Sequence, residues 1–193
     1  MPHFKRLRNS LSLLFIGLLV GCQNQNPTER KQVQAFDQYL ASLDQLEIPF
    51  NCNSNPHFEL KLKSRNFNPE LHAKFKYQWA TEPLGILFQD STKVLLVDLV
   101  PGDIAMVPVF MSYDLKGNKL DSLNPWDKSA WDPWYQGVEY LTVTKVRNIE
   151  IVDTVYQWSE EHPNPGENIE DASFNSGRRI YQWTEDGILR KGH

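Results

Sequence analysis

Lys93-Val94-Leu95-Leu96-Val97-Asp98-Leu99-Val100 decides the fold class, because the run is apolar on both faces of an extended chain. It reads as a central strand, and Pro101-Gly102 stops it. Downstream, Ala105 to Tyr113 is a second apolar run in which Pro108 demands an edge or a bulge. Asp114 to Asn118 then supplies a turn with Gly117 free to take positive φ, and Lys119–Leu123 is a short return strand. Val138–Val146 and Ile149–Trp158 are two long β-rich runs hinged at Arg147-Asn148. Residues 159–177, rich in Pro, Gly, Asn and acids, read as loop. A closing hairpin joins Arg179–Trp183 to Ile188–Arg190 through Glu185-Asp186-Gly187.

Upstream of the central run the period is also two, at Phe58, Leu60 and Leu62 and again at Phe75, Tyr77 and Trp79. Earlier still it changes to 3.6. Val33, Phe36, Leu40 and Leu43, widened by Tyr39 and Leu46, make an apolar stripe that predicts an amphipathic helix over 28–46, capped at Thr28 and ended before Pro49. The expected fold is therefore α+β and mainly β, with one N-terminal amphipathic helix packed on a mostly antiparallel sheet.

The first 21 residues have a different logic. Lys5, Arg6 and Arg8 precede an apolar stretch from Leu11 to Val20, and Leu19-Val20-Gly21-Cys22 closes it. About ten apolar residues reach roughly 15 Å as helix, half of the ~30 Å core a membrane span must cross. The segment resembles the lipobox of bacterial lipoproteins, whose signal peptide is removed and whose invariant cysteine is acylated. An ordinary secretory signal is the rival reading. The resemblance implies a signal peptide over 1–21, a polar tether over 22–27, a single globular domain over 28–193 and a lipid membrane as partner through acylated Cys22. Gln23, standing where Asp would favour inner-membrane retention, implies the outer membrane, with the domain facing the periplasm.

Composition limits what such a domain does. The whole chain carries 20 basic and 24 acidic residues, and loss of residues 1–21, with three basic side chains and no acid, moves the net charge from −4 to −7. That balance disfavours binding to nucleic acid or to an anionic membrane surface through the protein's field. With Cys22 acylated, Cys52 has no partner for an intramolecular disulfide.

Catalytic motifs are missing, and no cofactor or metal motif is found: no Gly-x-Ser-x-Gly, no phosphate-cradling glycine loop, no His-Glu-x-x-His and no Cys-x-x-Cys. Cys52 with His57, His72 or His162 would make a thiol dyad only if the fold brought them together. Asp98 reads as an acid exposed near a strand end, or else as a buried carboxylate of catalytic interest. The densest candidate is the loop bearing Trp126, Asp127, Trp131, Asp132, Trp134 and Tyr135. Indole faces stack on sugars while carboxylates accept hydroxyl hydrogen bonds, so the loop binds glycan if its rings are exposed and is a satellite core if they fold back. Three echoes, Tyr77-Gln78-Trp79, Tyr156-Gln157-Trp158 and Tyr181-Gln182-Trp183, read as aromatics sharing one sheet face. The expected role is a non-catalytic binding or envelope-structural one. The alternatives are a protein that neutralises a partner, of toxin-immunity type, whose acidic loop would meet a basic surface, and a periplasmic hydrolase.

Overall fold

Strand β3 (Lys93–Pro101) is buried on both faces over most of its length, as its composition requires. The computed structural model describes residues 27–55, 67–102, 105–132, 134–145 and 147–192. In it β3 lies between β2 (Glu82–Gln89) and β4 (Met106–Asp114), and β5 (Lys119–Leu123) completes a four-stranded antiparallel sheet. Pro108 pairs with Leu99 of β3, while β5 runs only from opposite Tyr113 to opposite Phe110. The outer side of Pro108 is thus a sheet edge, where a residue without an N–H does no harm.

A second antiparallel sheet orders β1 (Phe50–Asn53), β7 (Tyr135–Val143), β8 (Asn148–Gln157), β9 (Ser173–Trp183) and β10 (Leu189–Lys191), with β6 (Ala130–Trp131) also pairing β7. The fold is mainly β, as the alternating runs predict, but the strands divide into two sheets. Alternation along β3 and β4 explains the layering. Leu95, Val97, Leu99 and Phe110 meet Leu141, Val143, Ile149, Ile151 and Trp183 of the second sheet. Val94, Leu96, Met111 and Tyr113 face the other way, onto Phe36, Tyr39 and Leu40 of helix α1 (Pro27–Ala41) and Leu71 and Phe75 of helix α2 (Pro69–Phe75). Each such burial contributes roughly 1.5–3 kcal/mol against about 1 kcal/mol for a helix cap, so packing holds these short helices in place.

Several expectations are corrected. The helix stops at Ala41 and starts at Pro27, which puts Thr28 inside its first turn. Leu46 leaves the helical path because the chain there runs beside β2, with Leu46 N–H donating to Ile86 O and Ile86 N–H to Asp44 O, at 2.8 and 2.9 Å. Phe75, Tyr77 and Trp79 are no strand. Asn68 caps α2 by accepting from the amides of Glu70 and Leu71, Pro69 sits at the first helical position, and a turn follows that leaves Trp79 63% exposed. Strand β9 starts at Ser173, inside the span read as loop, because its backbone pairs with β8 as far as Gln157. The expected strand at Phe58–Leu62 lies outside the described residues.

Candidate functional site

The inner face of the second sheet is apolar at one end and charged at the other. Glu139 on β7 and Asp153 on β8 are direct cross-strand partners, and Arg179 on β9 stands opposite Ile151, two pairs along and so on the same face. All three occupy the inward alternation of their strands and are buried. Two adjacent buried carboxylates would cost several kcal/mol if left unpaired. Here they are paired: Arg179 binds Glu139 through Nη2, reaches Asp127 Oδ2 at 2.8 Å and approaches Asp153 Oδ1 at 3.8 Å, and Lys128 Nζ donates to Asp153 at 2.7 Å.

The same carboxylate fastens the tryptophan loop. Glu139 Oε2 accepts from the amides of Asp127 and Lys128, both at 3.1 Å, and from Ser129 Oγ at 2.6 Å. Gly137 makes that approach possible, since a Cβ there would stand 1.8 Å from Lys128 O. The predicted loop residues are consequently split. Trp126 is partly buried against the inter-sheet core, its N–H without an acceptor among the described residues, and Asp127 is spent on Arg179. The backbone of Trp131 pairs with Gln136 in the β6–β7 ladder. Asp132 accepts from the amides of Trp134 and Tyr135 at 2.9 and 2.7 Å and fixes the turn into β7.

Trp134 alone among the described tryptophan side chains of the loop is substantially open to solvent, at 45% exposure. With Asp132, Tyr135, Gln157, Trp158 and Glu160 it lines an open hollow of about 700 Å³ at the end of β7 and β8. Trp158, buried, forms its back wall. Its backbone amide donates to Trp134 O and its indole N–H to Asn168 O, at 2.9 and 3.0 Å, tying the loop after β8 to the turn before β7. The hollow thus presents one free indole face, two carboxylates, an amide and a phenol on a rigid backbone. Sequence reasoning named Trp134, Tyr135 and Asp132 but missed Gln157, Trp158 and Glu160, which pairing of β7 with β8 brings alongside.

Other candidates fare differently. Asp98 is fully buried, which corrects the exposed-edge reading: α2 and the turn after it cover that end of β3. Tyr77 N–H donates to its Oδ2 at 2.8 Å, while Oδ1 stands 3.6 Å from His72 Nε2, too far for a hydrogen bond. Burial, reinforced by the charge of Asp98, pushes the hydroxyls of Tyr39 and Tyr113 above the usual tyrosine range. Cys52 is a buried free thiol pushed up by desolvation to about 12, so it supplies no thiolate at neutral pH. His57 and Cys22 lie outside the described residues. The Tyr-Gln-Trp echoes hold as a sheet pattern at Tyr181 and Trp183, which share the inner face, and fail at Tyr77.

Among the described residues no group of three or more His, Cys, Asp and Glu side chains is placed to hold a metal ion. In comparisons with known proteins the chain matches no family model, no curated protein and no solved structure.

Proposed function

We propose that the protein is a non-catalytic binding domain of the cell envelope, tethered to the membrane through acylated Cys22, and that it takes a glycan in the hollow around Trp134. The observation that carries the reading is the exposed indole of Trp134 beside Asp132 and Glu160, on a turn fixed by Asp132, which accepts from two of its amides, and by the Trp158 amide, which donates to Trp134 O. A sugar ring offers an apolar face to the indole and hydroxyls to the carboxylates, and a preformed turn lowers the ordering cost of binding. The buried acids and the buried thiol are absorbed by the fold, which leaves the open acids to accept hydrogen bonds.

A second reading is favoured by a separate observation. Phe174 is 72% and Ile169 52% exposed on or beside the acidic loop that carries Glu160, Glu161, Glu167, Glu170 and Asp171, as suits a basic protein partner of the neutralising type.

Sedimentation with purified peptidoglycan separates the two. The full chain in neutral detergent should co-sediment, and Trp134→Ala should weaken binding roughly ten-fold, about 1.4 kcal/mol, at little cost in stability. Trp126→Ala should instead lower the denaturation midpoint, because that ring packs on the core. A wild-type protein that ignores the glycan removes the reading.

A further inference from the structure

We infer that a second hollow, between α1, α2 and the turn joining β4 to β5, binds a phosphate group. Lys31 of α1, Lys74 and Lys76 at the end of α2 and Lys119 at the start of β5 line about 580 Å³ of open space, over Phe75 and Tyr113. Three separate elements bring these cations together, and no acid is among the lining residues. That is an anomaly in a domain of net charge −7.

Two observations show that the lysines are available. The side chains of Lys31 and Lys74 make no hydrogen bond or ion pair among the described residues, Lys76 commits one donor to Ala80 O at 2.7 Å, and Lys119 Nζ stands 3.4 Å from Ser122 Oγ. Glu29, the acid in the first turn of α1, is turned to Lys116 at 2.8 Å instead. The hollow is also preformed. Gly117, at φ 80°, lets the β4–β5 turn close on the helices, since a Cβ there would lie 2.9 Å from the ring of Phe36 and 3.2 Å from that of Phe75. Four ammonium groups around one cleft repel each other, and a phosphate relieves that repulsion while accepting from several of them.

The phosphate has two possible sources, an anionic lipid headgroup or a free phosphorylated solute. Tether length points to the headgroup, a step that rests on the lipid-anchor reading. Four residues lie between Cys22 and Pro27, so the five steps from one to the other span at most about 18 Å of extended chain, and Lys31 follows within little more than one helical turn. Trp79, exposed on the turn that Lys76 closes, is of the type that settles at a membrane–water boundary.

The test is a lysine footprint. The acylated protein is reconstituted into phosphatidylcholine vesicles, into vesicles with about one-fifth phosphatidylglycerol, and into the former with added inorganic phosphate, then reductively methylated and read lysine by lysine by mass spectrometry. Labelling of Lys31, Lys74, Lys76 and Lys119 should fall about five-fold with phosphatidylglycerol, the scale of one cation's attraction to an anionic surface, while Lys145 and Lys191 stay constant. Protection by inorganic phosphate as well would assign the group itself, and protection by the lipid alone would assign the headgroup. The double change Lys31→Gln and Lys74→Gln, at exposed positions, should abolish protection of Lys76 and Lys119. Equal labelling under all three conditions overturns the proposal, as does protection that survives the double change. Failure of the anchor has a different sign, namely protein that does not float with phosphatidylcholine vesicles, and the footprint is then decided by inorganic phosphate in solution.

Discussion

Glu139 illustrates how much one inward-facing acid organises. Its carboxylate accepts from two loop amides and a serine hydroxyl, pairs with Arg179, and lies beside the equally buried Asp153. Arg179→Met keeps much of the volume and removes the cation on Glu139, which leaves Lys128, on Asp153, as the one cation bound to either of the two adjacent buried carboxylates. The expected loss is ~3–5 kcal/mol, read as a lowered urea midpoint, because breaking a buried pair strands its charge. A signal for this network exists in the sequence: Glu139, Asp153 and Arg179 each share the alternation of Leu141, Ile151 and Trp183, positions an alternating strand reserves for the core. The partners of each charge were not legible, since they depend on register.

Cys52 gives a second prediction at this scale, with its sign fixed by burial. The folded thiol is raised from 9.0 to about 12, so between these values the unfolded chain ionises and the folded one does not. The unfolded state then binds fewer protons, and stability falls as pH rises through that window. Cys52→Ala should flatten part of the alkaline decline in denaturation midpoint, and iodoacetamide at neutral pH should leave the native thiol unmodified. An unchanged alkaline slope, or rapid alkylation of folded protein, would contradict the burial argument.

At the scale of elements, β3, β4, β5, β7, β8 and the closing hairpin of β9 and β10 stand where the sequence places strands, whereas β1, β2 and β6 do not announce themselves: β1 and β6 are short, and Pro83 and Gly85 interrupt the apolar run of β2. Helix α2 is seven residues long, too brief for a 3.6-residue period to declare itself, and its evidence is the local Asn68-Pro69-Glu70 start. The first five residues of β9, Ser173 to Gly177, look like loop because sheet pairing engages backbone whatever the side chain. The Leu43–Leu46 end of the stripe is apolar for packing between layers and not for helix. Two substitutions check these accounts. Asn68→Ala should cost ~0.5–2 kcal/mol through two lost cap bonds. Gly137→Ala should cost ~1–3 kcal/mol or more and loosen the tryptophan loop, seen as faster amide exchange at Asp127 and Lys128, because a methyl cannot share space with Lys128 O. Normal stability and exchange in Gly137→Ala would mean that the loop is not seated as described.

For the whole molecule, mainly-β class and antiparallel pairing follow from the sequence, while the division into two sheets does not. Alternation says which residues face inward and is silent about which sheet they meet. Trp183 shows the join: it is buried between the sheets, its indole N–H bonds Ser112 Oγ of β4 at 2.8 Å, and it stacks near Phe88 of β2. The candidate site has the same history. Its aromatics and acids were visible as a cluster, and the split into a bolted half around Trp126 and an open half around Trp134 arises only when β7 and β8 pair. Function at this scale turns on the tether, since acylated Cys22 would fix both the compartment and the surface against which the lysine-lined hollow lies. Metabolic labelling with a palmitate analogue, in cells expressing the full chain, tests this most directly. The account predicts a labelled wild-type protein and an unlabelled Cys22→Ala variant; an unlabelled wild type, or label that survives the substitution, would contradict it.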